Sequence, residues 1–573
     1  MITDVQDMQE PQSTHDEHTE RFFNLLDEPW VLACNKEGVV EELSVLEVFR
    51  RAHELKCLEG ELPTQDVAIL RFLLAILYAV FTRVDENGEP SILEQATRPR
   101  DEALRRWKAL WDASELPVNA IERYLEFYRE RFWLVHPTQP FYQVAGLRRI
   151  RSTSNNAKDA SQIISDVPSR IEKRFFTLRS GSNATELSYP ESARWLIALH
   201  AWDYAGKKAV VTDPSGNCGS ENGGGTGWLG KLGVVYFQEA SLAKTLLMNF
   251  VLLYQNEILL PTGLPIWEEE PRNALKLEKH FSGFVELLTQ QSRRVLLSTT
   301  SDKVTGATIS YGDVFNKENL FIEQMSSWHK SSKSNGFIPT THEPETSLWR
   351  DLTSLLPYAA DSEKDRVAGI IDWAQILKEE HIIDTVNYNI AAVGIKYGDS
   401  QSVVHEIIAD ELTINASLFT ELGESWAHRI VLALDKTDEC VSQLGKLARK
   451  FTQASGKYDD NAEKKKKKTA TTEETIAQEN AYHAFDSIFR RWLASVNPET
   501  DDLEARILEW QNIVLQTIKR LGQELFDTLG TKAIIGPIDQ QNSRIIAAPI
   551  AFIQFKRNVN QILKSWKEEA INE

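Results

Sequence analysis

The chain has 573 residues, of which 42% are hydrophobic and 26% charged, and its formal net charge is −19 at pH 7. This length exceeds what one hydrophobic core normally supports, so we expect two or more domains of ordinary globular composition. The acidic balance argues against a protein that binds nucleic acid through a generally basic surface. Weak binding through a local basic patch is still compatible with it, especially where partner subunits neutralise most of the phosphates.

The amino terminus and the cysteines bear on the cellular compartment. Residues 1–20 are polar and acidic, without the basic and apolar segments of a signal peptide, and predict a disordered acidic tail. The longest apolar run, residues 72–81, is too short to cross a bilayer and predicts a buried helix. The cysteines stand far apart in sequence without metal-ligand spacing: Cys34, Cys57, Cys218 and Cys440. We expect a cytoplasmic protein with no metal, no other cofactor and no membrane partner.

Residues 21–400 predict a mixed α/β globular domain that contains a glycine loop. Apolar residues recur at helical spacing in 64–83 and 117–133, and residues 241–259 are apolar on most of a helical circumference. Runs rich in β-branched and aromatic residues predict short strands at 30–33, 209–212, 234–237, 295–298 and 319–322.

Residues 401–573 predict a C-terminal four-helix bundle. Four amphipathic patterns follow one another, and the breaks at 497–498 and 536–537 favour antiparallel packing. The run from Lys464 to Lys468 predicts a solvated lysine-rich loop at 462–470, because adjacent like charges repel; transient attraction to phosphates is the alternative. The fold class predicted for the chain is α+β, with a large mixed, mostly helical N-terminal domain followed by this bundle.

The most informative stretch is residues 214–233 (PSGNCGSENGGGTGWLGKLG), in which eight of twenty residues are glycine. Glycine lets a backbone adopt positive φ and approach a partner closely, at a cost in stability. The pattern from Gly225 to Leu232 approaches the phosphate-binding G-x-x-x-x-G-K-[ST] motif, but Leu232 replaces the hydroxyl that holds Mg²⁺. Three interpretations stay open: a nucleotide-hydrolysing loop, a surface loop of no special role, and a loop whose bare backbone enters a nucleic-acid groove.

The sequence contains no set of catalytic residue types beyond the pairings that chance gives in a chain of this length. The chain lacks G-x-S-x-G, H-E-x-x-H and D-F-G signatures, and His200 lies in an apolar-aromatic segment typical of a packed core histidine. No acid and base stand as an ordered pair. We therefore expect a protein that is not an enzyme.

Five segments, taken in order, carry a resemblance to a known family. They are 22–31 (FFNLLDEPWV), 136–142 (HPTQPFY), the glycine loop, 264–268 (LPIWE) and 290–294 (QQSRR). Together with the terminal helices they span nearly the whole chain, and their order and spacing are more specific than any one of them. On these segments the chain resembles the CasA family, the large subunit of Cascade, the type I-E CRISPR surveillance complex.

The resemblance implies a mixed α/β domain followed by a four-helix bundle, and a subunit without nuclease activity. It implies that the protein recognises a short protospacer-adjacent motif in duplex DNA, helps open the duplex for pairing with guide RNA, and recruits the helicase-nuclease. Its partners would be the backbone and small subunits of the complex, the 5′ handle of the guide crRNA and the target double-stranded DNA. An α-helical protein-interaction scaffold without direct DNA recognition is the alternative.

Site residues carry over by position. Gly223, Gly224 and Gly225 match the family's glycine loop, which enters the minor groove, where readout is degenerate and motif choice permissive. Gln401 falls where the family places a glutamine wedge that forces stacked base pairs apart, and Ser400 stands where a relative has asparagine. A plain helix-start residue is the alternative for Gln401.

Two further contacts are implied with less exact placement. Lys317 and Asn319 straddle the position of a basic side chain that contacts the motif. The segment 177–189, with Phe176 before it and Arg179 within it, resembles the segment that meets the 5′ handle of the guide RNA, where an aromatic ring can stack on an unpaired base. Phe176 as a core residue is the alternative.

Overall fold

A computed structural model of the chain describes residues 21–150, 159–164, 179, 181–220, 223–255, 257–258, 263–279, 283–360, 363–456, 464–536, 538–539, 544–545 and 547–572. Helices and strands are interspersed as far as residue 415, and long helices follow, so the predicted mixture of helix and sheet is confirmed. The tail predicted at 1–20 lies outside the described residues.

The described residues form thirteen α-helices, numbered α1 to α13 in chain order: Val45–Arg51, Pro63–Phe81, Pro99–Asp112, Val118–Phe127, Tyr189–Trp202, Leu242–Met248, Phe284–Leu288, Gly369–Glu379, Glu424–Ala454, Lys464–Ser495, Leu503–Asp527, Thr531–Ile535 and Ala548–Asn572. They also form twenty-two strands, β1 to β22: Phe22–Asn24, Val31–Asn35, Val40–Leu43, Leu55–Leu58, Trp133–Val135, Arg148–Arg149, Val211–Thr212, Cys218–Gly219, Val234–Gln238, Leu253–Tyr254, Glu257–Ile258, Glu278–Lys279, Arg293–Thr299, Val304–Tyr311, Val314–Phe315, Trp328–Lys330, Phe337–Pro339, Asp365–Arg366, Asn387–Tyr397, Val404–Asn415, Ile538–Asp539 and Arg544–Ile545.

Helix α2 is the centre of the N-terminal core. It begins with Pro63, whose fixed φ suits a first helical position, and nearly every later residue is buried. It contacts α4, α5, α6, α7 and β19. Among the described helices it alone is long and apolar enough to span a bilayer, but 94% of its apolar stretch is buried inside the protein. That burial is typical of a core helix, as predicted for this segment.

One ion pair is enclosed in this core. Both terminal nitrogens of Arg71 donate to the carboxylate of Glu323 at 2.8 Å, and the two side chains are 2% and 0% exposed. The Trp228 indole donates to the same carboxylate at 2.7 Å, and the Met325 amide donates at 3.1 Å. Although burial opposes ionisation, Arg71 holds the pKa of Glu323 below its usual value. The pair therefore fixes α2 to Trp228, just after the glycine-rich turn.

Strands β19 and β20 form a long antiparallel hairpin, and β9 pairs with the other side of β19. The domain boundary predicted at 400/401 is wrong, because it falls at the tip of this hairpin and would separate two paired strands. The pairing with β9 is a tertiary contact that local periodicity does not reveal. The long helices begin only at Glu424.

Helices α9, α10, α11 and α13 follow the hairpin, and α9 contacts the other three. Their interior includes Trp510, whose ring lies 5.8 Å from Phe485 and 4.9 Å from Phe489, and whose indole donates to Thr437 at 3.1 Å. Helix α10 begins at Lys464, where a lysine-rich loop was predicted. Lysine loses little rotamer freedom in a helix, so a helix that continues for 32 residues can include the run.

Three element predictions need correction. Helix α6 ends at Met248 rather than near 259, because Asn249 turns its side chain onto the carbonyl oxygens of Thr245 and Phe237, both at 2.8 Å. Helix α4 ends at Phe127 rather than near 133. The predicted strand at 319–322 is a turn, in which Asn319 has φ +57°.

Two cysteines that are far apart in sequence become neighbours in the sheet. Cys34 on β2 and Cys57 on β4 are direct register partners, and both are free thiols. Burial, the largest cause, and the nearby carboxylate of Glu59 raise the pKa of Cys57 to about 11. The thiol is therefore protonated at neutral pH.

We predict that Arg71→Met lowers the free energy of unfolding by about 3–5 kcal/mol, because it leaves the buried Glu323 carboxylate without a cation. Urea unfolding checks this value. Arg21→Met is the matched control, since Arg21 and its partner Glu130 are both about half exposed and their pair contributes at most about 1 kcal/mol. Equal losses of stability for the two variants would contradict the prediction. So would an Arg71→Met/Glu323→Gln double variant that is no more stable than Arg71→Met alone.

Candidate nucleic-acid interface

The glycines of the glycine-rich turn are required for two reasons, positive φ and close packing. Gly223 is exposed with φ +86° and Gly225 is half-buried with φ +68°, so both occupy the left-handed region that favours glycine. Gly224 is buried, and a Cβ there would lie 1.9 Å from the ring of Tyr311. The structure therefore removes Gly224 from the candidate contacts, because its face is already covered. Contact through Gly223 and Gly225 stays a prediction.

Arg293 on β13 holds this turn against the segment that follows α5. Its Nη2 donates to the carbonyl oxygens of Gly225 at 2.9 Å, Asp203 at 3.1 Å and Tyr204 at 3.2 Å, and its Nε donates to the Asp203 carboxylate. The guanidinium lies 4.9 Å from the centroid of the Tyr311 ring. Because the side chain is 1% exposed, these bonds are made away from water and fix the turn firmly.

Arg293 and the carbonyl oxygens that it bonds form a clamp on the glycine turn. The Asp203 carboxylate balances part of the positive charge of this clamp. Lys208 Nζ lies 2.6 Å from one of its oxygens, and Arg293 is the second cation that contacts it. Burial opposes ionisation, but Lys208 and Arg293 hold the pKa of Asp203 below its usual value. The clamp is therefore charged at neutral pH and keeps one positive charge in excess of its single carboxylate.

The tip of the β19–β20 hairpin carries Ser400 and Gln401, and both are exposed. Gln401 has φ +51°, and its amide donates to the Gly398 carbonyl oxygen at 2.6 Å, so it closes a tight turn and does not begin a helix. The Ala205 amide donates to the Gln401 carbonyl oxygen at 2.7 Å. Since Tyr204 is bound by Arg293, the segment 203–205 joins the glycine turn to the hairpin tip.

Three lysines surround the glycine turn. Lys276 Nζ donates to the Gly223 carbonyl oxygen at 3.0 Å. Lys231 ends a short 3₁₀ turn after Trp228, and its Cε would lie 3.8 Å from a Cβ at Gly225. Lys317 is close enough to Lys231 to disfavour its charge. Burial lowers the pKa of both Lys231, to about 8, and Lys317.

The choice between Lys317 and Asn319 can now be argued from their contacts. The Asn319 Oδ1 accepts from the Phe337 amide at 2.8 Å, and the Asn319 amide donates to the Phe337 carbonyl oxygen at 2.8 Å. Asn319 is therefore occupied in holding β17. Within the described ranges Lys317 has no hydrogen-bond or salt-bridge partner, which leaves its ammonium free to meet an anion.

The predicted RNA contact lies in a different cleft. Arg179 contacts the carboxylates of Glu61 and, at 3.3 Å, Glu191, and it borders a cleft of about 770 Å³ together with Glu186 and Lys303. Phe176 lies outside the described residues. Arg179 is thus not brought together with the glycine turn, and RNA binding there would compete with two existing ion pairs.

The nucleotide-hydrolysis interpretation has no structural support. Lys231 is followed by strand β9 and not by the helix that a phosphate-binding loop requires. His200 is a core residue whose Nε2 lies 2.9 Å from the Tyr142 carbonyl oxygen. Burial lowers its pKa to about 3, so it is neutral and engaged.

Sequence reasoning missed Arg293, Tyr311, Lys276 and the role of Lys231 at this site. Arg293 was noted only as part of the segment 290–294, and its partners come from three separate stretches of the chain. Lys231 was considered only as a nucleotide-binding lysine. The one signal available was an arginine pair at the start of a β-branched strand pattern, which by itself does not indicate a clamp.

Comparison with known proteins places the chain in a family. The family model for CRISPR-associated protein Cse1 matches residues 24–521. The CRISPR-associated protein CasA/Cse1 of Thermus thermophilus is 25% identical over 497 residues, which cover 83% of this chain and 88% of that protein. Because the family model covers most of its length, the chain belongs to the Cse1 family.

Solved structures share the fold. The crystal structure of Thermobifida fusca Cse1 is similar with a TM-score of 0.80 and 30% sequence identity, covering 95% of this chain and 98% of that chain. A chain in a structure of a CRISPR RNA-guided surveillance complex is similar with a TM-score of 0.69 and 18% identity, covering 94% of this chain and 99% of that chain. At 18% identity the likeness concerns the fold alone.

We predict that Gly224→Ala destabilises the protein by about 1–3 kcal/mol, because the new methyl group would overlap the Tyr311 ring. Gly530→Ala is the control: it lies in open space without positive φ, and its cost should stay within about 1 kcal/mol. Urea unfolding of both variants checks this. In a Tyr311→Ala background the cost of Gly224→Ala should fall; an unchanged cost would show that Gly224 does not pack on that ring.

Proposed function

We propose that this chain is the non-catalytic large subunit of a type I-E CRISPR surveillance complex. In that role it recognises the protospacer-adjacent motif in duplex DNA, aids opening of the duplex and recruits the helicase-nuclease. Its partners are the other subunits, the guide crRNA and the target DNA, and it works in the cytoplasm. Membership of the Cse1 family supports the assembly, and the geometry of the glycine turn and the hairpin tip supports the DNA-binding role.

The observation that carries the proposal is the connection between two exposed backbone features. The hairpin tip is bonded to Ala205, and Arg293 bonds both Tyr204 and Gly225. A bare turn that follows a groove and a side chain that separates base pairs must keep a fixed spacing if both are to act on one duplex. Segment 203–205 and Arg293 provide that spacing.

Charge around the turn supports an anionic partner. Lys276, Lys231 and Lys317 lie beside the turn in a chain whose net charge is −19. Local cations of this kind steer and hold phosphates even when the whole protein is acidic. We propose that Lys317, rather than Asn319, is the basic side chain that contacts the motif.

The four long helices form the second part of the proposal. We propose that α9, α10, α11 and α13 act as a four-helix bundle that docks other subunits of the complex. Arg490 on α10 lies 2.9 Å from Asp410 on β20, and its Nη1 donates to the carbonyl oxygen of Glu411 on the same strand. These contacts link the helices to the hairpin that carries Gln401, so a displacement of the helices would also displace the hairpin.

We predict that Gly223→Asp weakens binding of motif-bearing duplex by the assembled complex at least tenfold relative to Gly223→Asn. Both residues tolerate positive φ and have nearly the same volume, so the difference reports the added carboxylate, which repels phosphates and also neutralises Lys276, whose Nζ would lie 3.1 Å from the new Cβ. Electrophoretic mobility shift with purified complexes measures it. Gly38→Asp, at φ +83° in open space on the β2–β3 turn, controls for added charge and should leave binding unchanged.

Equal affinity of the complexes that carry Gly223→Asp and Gly223→Asn would remove the turn from the DNA interface. A slope of log affinity against log salt near zero for the parent complex would instead favour the alternative, a scaffold that does not contact DNA.

We predict that Gln401→Gly slows opening of intact duplex at least tenfold, because the side chain that separates base pairs is lost while positive φ is retained. Fluorescence of 2-aminopurine next to the motif measures opening. A target with a preformed bubble beside the motif is the control substrate and should bind the variant as it binds the parent. Slower binding of the bubble target, or normal opening of the intact duplex, would contradict the wedge assignment.

A further inference from the structure

The ammonium of Lys231 is a cation without a visible counter-charge. Its side chain is half-buried, its Nζ lies 5.7 Å from the Trp228 ring centroid, and its Cε lies beside the backbone of Gly225. In the part of the chain that the structure describes, no carboxylate or carbonyl oxygen lies within hydrogen-bond or salt-bridge distance of that nitrogen. A partly desolvated ammonium in this state costs stability unless something outside the chain pairs with it.

The groups around Lys231 are mostly positive. Arg293 on β13 and Lys317 after β15 both disfavour its charged form, and Lys276 is bonded to the same turn at Gly223. The nearby acids are already matched: Asp203 by Lys208 and Arg293, and Glu323, bonded to Trp228, by Arg71. The Tyr397 hydroxyl, close to Gly230, donates to the Trp202 carbonyl oxygen. The site therefore has an excess of positive charge beside the glycine turn.

We propose that Lys231 binds a backbone phosphate of the target DNA beside the glycine turn, where Lys317 adds to the positive charge. The inference rests on the proposed function and adds a contact that its turn and wedge do not require. A phosphodiester carries a full negative charge, shared by its two non-bridging oxygens, that can pair with the Lys231 ammonium, whereas a neutral base edge would not offset the desolvation of that ammonium. A lysine matches this task as a compact point charge.

The same arrangement gives binding a pH signature. Burial, together with Arg293 and Lys317, lowers the pKa of Lys231 to about 8 in the free protein. A bound phosphate favours the ammonium and raises that pKa, so the complex takes up a proton on binding above pH 8. Affinity should be full below pH 8 and fall as pH rises above it, by about tenfold between pH 7 and pH 9.

The test compares two variants in the assembled complex by measuring affinity for motif-bearing duplex against salt and pH. Lys231→Met keeps the stem and removes the charge; it should bind about five- to twentyfold more weakly at pH 7, with a salt slope smaller by about 0.9. Lys231→Arg keeps a charge that does not titrate below about pH 10; it should bind as the parent at pH 7 and lose the tenfold fall. Lys36→Met, exposed on the β2–β3 turn, should change neither quantity.

A chemical change in the DNA tests the phosphate without altering the protein. Neutral methylphosphonates placed one at a time beside the motif should weaken the parent complex at one position and have little effect on the Lys231→Met complex at that position. The methylphosphonate experiment on the parent complex remains informative even if the Lys231→Met variant assembles poorly. Thermal unfolding and gel filtration would reveal poor assembly. The methylphosphonate experiment also separates a target-DNA phosphate from a guide-RNA phosphate or an acidic peptide.

The inference is overturned if Lys231→Met binds with the parent's affinity and salt slope. It is also overturned if the Lys231→Arg complex retains the tenfold pH dependence, or if no single methylphosphonate acts through Lys231. Failure of the parent complex to bind motif-bearing duplex at all would overturn the proposed function itself, and the two failures are therefore distinct.

Discussion

The buried guanidinium of Arg293 is the interaction on which the candidate interface depends. It bonds carbonyl oxygens at Asp203, Tyr204 and Gly225, and the next residue along, Ala205, bonds the hairpin tip at Gln401. Because buried donors and acceptors that lose their partners cost free energy, these elements hold one another in place. Two surface loops are thereby held at a set separation by a side chain that is 1% exposed.

The arrangement also reconciles an acidic protein with a nucleic-acid partner. Exposed ion pairs such as Arg21–Glu130 carry no net charge and contribute little to stability. Around the glycine turn the carboxylates are already matched, and Lys231 and Lys317 are left in positive excess. The net charge of the chain therefore says little about this surface, and binding would draw on local charge together with the charge supplied by neighbouring subunits.

Part of the fold and of the site could be predicted from the sequence. Helix α2 and strand β9 were found because their periodicity is local, and the glycine turn because its composition is extreme. The hairpin boundary was misplaced because β19 owes its position to pairing with β9, which is remote in sequence. Arg293 was missed for the same reason, since its partners come from distant segments. Gly224 was expected to meet DNA, but its lack of a side chain serves packing on Tyr311.

Photocrosslinking from two positions tests the central claim most directly. A photoreactive amino acid at Ser400 on the hairpin tip, or at exposed Asn316 beside Lys317, would be irradiated in the assembled complex with motif-bearing duplex. Both positions should crosslink to nucleotides beside the motif and within one helical turn of each other, and the exposed Phe127 should give no crosslink to DNA. Crosslinks from the two positions to protein alone, or to DNA sites more than a turn apart, would contradict the claim that the clamp presents one surface to one duplex.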